Sequence, residues 1–105
     1  MPYKGSDLSP AFKTFFRRQK NAIKKVLEAR GCTEIKLDYG FYYFSGFFTA
    51  PNGQIYYILS SDVRHFDYER LLIRTAKHYK DYSGGTNEQI SVSDGDYTSL
   101  KTFRF

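Results

Sequence analysis

Nine of the chain's twenty Tyr and Phe residues fall between positions 39 and 57. That block is broken by Ala50-Pro51-Asn52-Gly53. Aromatic and β-branched residues suit a pleated, half-buried surface, so residues 41–50 and 54–60 read as strands. Between them, Pro51 presets the first turn dihedral and Gly53 accepts the left-handed position of a bulged hairpin. Upstream, residues 34–39 alternate charged side chains with Ile35, Leu37 and Tyr39, the pattern of a half-exposed strand, and Tyr39-Gly40 supplies a tight turn. The expected unit is a three-stranded antiparallel meander.

Side chains alternate between the faces of a strand, so this register sorts the rings. One face collects Ile35, Leu37, Tyr42, Phe44, Phe48, Tyr56 and Ile58. The other collects Glu34, Lys36, Asp38, Phe41, Tyr43, Ser45, Phe47, Thr49, Ile55, Tyr57 and Leu59. Helices can cover only one of them. A bare apolar patch on the second calls for a partner. Three are available: the C-terminal tail with Ile90, Val92, Leu100, Phe103 and Phe105; a second copy of the chain in a homodimer; or unpaired bases. Each base stacked on a ring contributes about 1–3 kcal/mol. Tyr43, Phe47 and Tyr57 form the candidate aromatic surface.

Charge is as unevenly placed as the rings. The chain carries a formal net charge of +5. Residues 9–30 hold seven bases, Lys13, Arg17, Arg18, Lys20, Lys24, Lys25 and Arg30, against the single acid Glu28. The segment reads as a helix. Ser9 is a good N-cap, Pro10 suits the first helical position, and Gly31 is a C-terminal stop. At helical spacing Phe12, Phe15, Phe16, Gln19, Ala22, Ile23, Val26 and Leu27 share one side. Lys13, Arg17, Lys20 and Lys24 form a basic edge, and Arg18 with Lys25 lies further round. One acid among seven bases cannot supply the usual set of i,i+4 ion pairs. Such a surface suits a polyanion or an acidic protein surface.

A second helix is expected over about residues 67–82, with Tyr68, Leu71, Leu72, Thr75, Ala76 and Tyr79 facing the core. Arg70, Arg74, Lys77 and His78 fall opposite, and Ser83-Gly84-Gly85 ends it. Beyond lies a polar tail in which residues 89–92 and 98–105 each read as a short strand. The fold class is therefore α+β in the order α-β-β-β-α, with both helices on one sheet face. The division is an arm (1–8), one domain (9–82) and the tail (83–105). In element order alone, over residues 9–82, the chain resembles the double-stranded-RNA-binding domain. That resemblance implies two helices packed on a three-stranded sheet, and no site residue is carried over from it.

Catalytic and metal chemistry find no footing. His65 and His78 stand thirteen positions apart and Cys32 is alone, so zinc-ligand spacing is missing. Glu34 and Asp38 share a strand face but stand about 13 Å apart at strand rise, too far for a paired-carboxylate mechanism. No apolar run approaches the roughly 20 residues of a membrane span. A single thiol fits a reducing compartment, hence a cytoplasmic location.

The expected function is non-catalytic and cofactor-free: nucleic-acid binding through Lys13, Arg17, Lys20 and Lys24, with Arg18 and Lys25, helped by Arg70, Arg74 and Lys77. The competing reading is a protein-interaction or inhibitory module using the aromatic sheet face.

Overall fold

A computed structural model describes residues 10–39, 43–60, 70–82, 86–91 and 97–105. Expectations that rest on residues 1–8, Ser9, Gly40, Phe41, Tyr42, His65, Tyr68, Ser83-Gly84-Gly85 or Val92, and on the side chains of Phe12 and Tyr39, lie outside the described residues.

Helix α1 runs Pro10–Ala29. Its apolar stripe is the expected one: Phe16, Ile23 and Leu27 are buried, with Phe15, Ala22 and Val26 half-buried beside them. Fully burying a side chain such as Ile23 or Leu27 stabilises by about 1.5–3 kcal/mol, which fixes the helix on the sheet. Gly31 ends it at φ +83°. Gly31 N donates to Glu28 O at 3.0 Å and Cys32 N to Leu27 O at 2.9 Å, the paired bonds of a Schellman stop.

Strands β1 (Thr33–Tyr39), β2 (Phe44–Thr49) and β3 (Ile55–Ser60) form the expected antiparallel meander. The turn between β2 and β3 closes through Gly53 N to Ala50 O at 2.9 Å, with Gly53 at φ +87°. The faces sort as the alternation requires. Leu37, Phe44, Phe48, Tyr56 and Ile58 join α1 in the main core, while Phe47 and Tyr57 lie on the other side with Ile55 and Leu59. Between β1 and β2 the approach is close. A Cβ on Gly46 would stand 2.0 Å from Lys36 O and 2.6 Å from Leu37 Cδ2.

The sheet does not stop at three strands. The segment expected as the second helix is strand β4, Arg70–Ala76, and β5, Glu88–Ser91, follows, giving the order β1-β2-β3-β4-β5. The correction has a physical cause. Leu71, Leu72 and Ile73 are apolar on both strand faces, and such a run satisfies helical and strand spacing alike. β3 decides between them. Its Tyr56, Tyr57 and Ile58 are buried on both faces, so its backbone cannot be left as an open edge. β4 pairs with all of it, from Ile55↔Ala76 to Ser60↔Leu71.

The second helix comes from the tail instead. Residues expected to end the chain as a strand form α2, Thr98–Thr102. There the chain packs against α1 and β5 instead of pairing as a strand, and a helical turn satisfies its backbone internally. Tyr97 and Leu100 enter the main core, with Phe103 and Phe105 packed against it. The architecture is thus α+β, a helix followed by a five-stranded antiparallel sheet and a short helix. The three-stranded order, and with it the resemblance to the double-stranded-RNA-binding domain, does not hold.

Candidate nucleic-acid interface

Because its apolar stripe is fixed on the sheet, α1 presents its cations to solvent. Lys13, Arg17, Arg18, Lys24 and Lys25 are exposed. Lys20 is half-buried, its Nζ 5.8 Å above the Phe16 ring. Among the described residues none of the five exposed cations has an ion-pair partner. From Lys13 to Lys24 the edge extends about 16 Å at the helical rise of 1.5 Å per residue. Neighbours such as Lys13 with Arg17 and Lys20 with Lys24 repel, at about 0.2–0.5 kcal/mol per i,i+4 pair. That cost is small beside the burial of Ile23 and Leu27, so the fold sustains an uncompensated row.

The remaining candidate cations are elsewhere. Arg70 and Arg74 belong to β4, and Arg74 pairs in register with Tyr57 on the face opposite α1. Lys77 is exposed in the turn beyond β4. The structure therefore keeps six of the nine expected basic residues on one surface and places three away from it.

The aromatic face is closed from within the chain. Residues after β4 double back over it, stabilised by the Asp81 carboxylate accepting from Lys77 N at 2.9 Å. Phe47 and Tyr57 lie 5.1 Å apart between ring centroids. Tyr79 packs at 5.7 Å from Phe47, and Tyr82 stands edge-on to both rings at 5.6 and 5.8 Å. Arg74 adds a further layer. Its Cζ sits 4.6 Å over Tyr57 and its Nη2 donates to Tyr82 O. Nε of Arg74 is buried without a hydrogen-bond partner among the described residues, so the π-face of Tyr57 is its neighbour instead. The Tyr79 hydroxyl donates to Glu34 O and accepts from Thr49 Oγ1, tying the turn to β1 and β2.

Phe47 and Tyr57 are left 6% and 7% exposed, and Tyr43 and Tyr82 38% and 62%. Of the three rings expected at the surface, only Tyr43 is there. Among the described residues of the tail, Ile90, Leu100, Phe103 and Phe105 pack on the α1 face and not on the patch. Tyr79 and Tyr82 cover the patch, and a helical reading of their segment concealed that.

Burial raises the pKa of Tyr57 and Tyr79 above the ordinary phenol range, and of Tyr56 on the opposite face; Ser45 and Arg74 partly offset it at Tyr57, as Thr49 does at Tyr79. A phenol held protonated by the fold contributes stability that is full below the unfolded pKa of about 10 and is lost as pH rises through its folded value. The urea midpoint is therefore expected to fall as pH rises above about 10, in step with a late phase of phenolate absorbance. Phenols that all ionise together near pH 10, with the midpoint unchanged, would show these rings to be solvated.

Cys32 is buried, and desolvation raises its thiol pKa against the opposing pull of Arg30, which makes it a poor nucleophile at neutral pH. Among the described residues no cluster of three or more His, Cys, Asp or Glu could hold a metal ion. Nor, among the described residues, is any helix long and apolar enough to cross a membrane.

Comparison with protein-family models, curated proteins and solved structures finds no match to this chain.

Proposed function

We propose that the protein binds nucleic acid, in a non-catalytic role, through the exposed cationic face of α1. The observation that carries this reading is the row Lys13, Arg17, Lys20 and Lys24, with Arg18 and Lys25 beside it, on a helix whose other side is locked into the core. Cations fixed at this density, with no ion-pair partner among the described residues, meet their complement in a linear array of phosphates. Binding displaces condensed counterions and relieves the mutual repulsion along the helix. Contacts of this kind set affinity and orientation, and carry no sequence information by themselves. The aromatic sheet face has a smaller part than its ring count suggests, since Phe47 and Tyr57 are already buried within the chain.

The test is fluorescence anisotropy on labelled oligonucleotides between 50 and 200 mM salt. With six phosphate contacts, log K is expected to fall against log salt with a slope near −5, from about −0.9 per contact on duplex DNA. Polyglutamate serves as the competitor that represents an acidic protein surface. Displacement of the oligonucleotide by equal charge concentrations of polyglutamate would favour the protein-partner reading, and a salt-insensitive signal would remove both.

A further inference from the structure

The exposed arc of α1 is more ordered than a general cationic surface. At about 100° per residue, Lys13, Arg17, Lys20 and Lys24 fall within one narrow sector of the helix. Arg18 and Lys25 fall together in a second sector, roughly a quarter-turn or more away. Between the two rows run Thr14, Asn21 and Glu28, spaced seven apart and all exposed. A strip of short or acceptor-bearing polar side chains thus separates two rails of positive charge. The opposite side of the same helix is held by Phe16, Ile23 and Leu27 against the sheet, so the strip and its rails face outward together.

We propose that α1 is a groove-reading helix for B-form duplex DNA. In this arrangement the Lys13–Arg17–Lys20–Lys24 row contacts one phosphate backbone, and Arg18 with Lys25 contacts the other. Thr14, Asn21 and Glu28 point at the floor. The inference rests on the nucleic-acid reading above and names the form of nucleic acid that the same surface takes.

Dimensions and chemistry agree. A helix with its side chains is about 10–12 Å across, and the major groove of B-DNA is about 12 Å wide. Two cationic rows flanking a centre without positive charge match two phosphate walls flanking base edges. A uniformly basic helix would instead suit a single backbone. The centre carries groups that complement base edges: an amide on Asn21 for adenine, a hydroxyl on Thr14, and on Glu28 a carboxylate that accepts from the cytosine amino group. The lone acid of the helix therefore occupies the line where an acid is useful, not a rail where it would repel phosphate. A-form duplex RNA has a deep, narrow major groove that side chains do not read, and a single strand has only one backbone. Both should be poorer ligands.

The experiment uses the full chain with three probes of matched sequence: duplex DNA, duplex RNA and single-stranded DNA. Duplex DNA is expected to bind at least tenfold more tightly than either of the others at 150 mM salt. Arg18→Ala with Lys25→Ala should reduce the salt slope on duplex DNA by about 2, in proportion to two lost contacts. The change on single-stranded DNA should be smaller. Asn21→Trp, placing a bulky ring on the floor at an exposed position, should weaken duplex DNA binding at least tenfold. Single-strand binding should be retained or strengthened, because unpaired bases can stack on the new ring, which also shows that the variant is folded.

Equal affinity for duplex RNA and duplex DNA, or full duplex binding by Asn21→Trp, would overturn the groove placement while leaving the polyanion reading intact. Absence of salt-dependent binding to all three probes would overturn both.

Discussion

Replacing Lys13, Arg17, Lys20 and Lys24 together with alanine is expected to weaken nucleic-acid binding by about 100-fold or more near 150 mM salt. The reasoning is stoichiometric. Each phosphate contact contributes about 0.9 to the salt slope on duplex DNA, so four lost contacts should flatten it by roughly 3.6. The fold should survive, because Lys13, Arg17 and Lys24 are exposed and have no ion-pair partner among the described residues. Removing the like-charge i,i+4 pairs should even raise the thermal midpoint slightly, at about 0.2–0.5 kcal/mol per pair. Lys20 is the one member with a packing role, over the Phe16 ring. Lys20→Met in the same background keeps its apolar stem and separates packing from charge. Wild-type affinity in a folded quadruple variant would end the functional reading of α1. A lower midpoint would mean that the row stabilises the fold.

The largest effect on stability is expected at Gly46. A methyl group there would sit 2.0 Å from the Lys36 carbonyl oxygen and 2.8 Å from Leu37 Cα, both on the backbone of the paired strand. Neither can rotate away. β1 would have to separate from β2, and the bulge between Thr33 and Lys36 would have to reform. Gly46→Ala should therefore destabilise by ~3 kcal/mol or more, at or above the usual range for overpacking. Gly53→Ala provides the comparison. Gly53 also has a special conformation, at φ +87°, but nothing lies within 4 Å of its added Cβ. Only the left-handed backbone cost of about 1–2 kcal/mol applies there. Urea denaturation of the two variants side by side measures the difference. A Gly46→Ala midpoint no lower than that of Gly53→Ala would show that the β1–β2 approach is looser than described.

How far the sequence led depended on how local each signal was. The hairpin at Ala50-Pro51-Asn52-Gly53, the Gly31 stop and the sorting of Phe48 from Phe47 all follow from chemistry within a few residues. The helix-one face is of the same kind, since one apolar stripe determines which cations are exposed. β4 was not legible, because Leu71-Leu72-Ile73 has no periodicity of its own and what selects a strand is the need of β3 for a partner. That single misreading propagated. On a helix, Arg70, Arg74 and Lys77 share a solvent surface, whereas on a strand Arg70 and Arg74 take the face away from α1. It also concealed what closes the aromatic patch, because Tyr79 was assigned to a helical core and Tyr82 to that helix's end. The strip Thr14–Asn21–Glu28 was present in the sequence at sevenfold spacing. It gains meaning only once the opposite side of α1 is seen to be fixed.

The core is closed by parts of the chain made far apart in time. Tyr97 donates to Gln19 Oε1 and Arg30 donates to Leu100 O at 2.9 Å, so the flank of α1 is completed by residues seventy or more positions later. During synthesis at about 5–20 residues per second, α1 waits on the order of 4–14 s for them. Through that interval Phe16, Ile23 and Leu27 lack their final cover, on an amphipathic segment of the kind that drives unfinished chains together. The flanking Lys and Arg residues act then as gatekeepers, since like-charged segments repel before they can associate. The charges proposed to hold phosphate in the folded protein would thus also oppose association of the chain before its core closes.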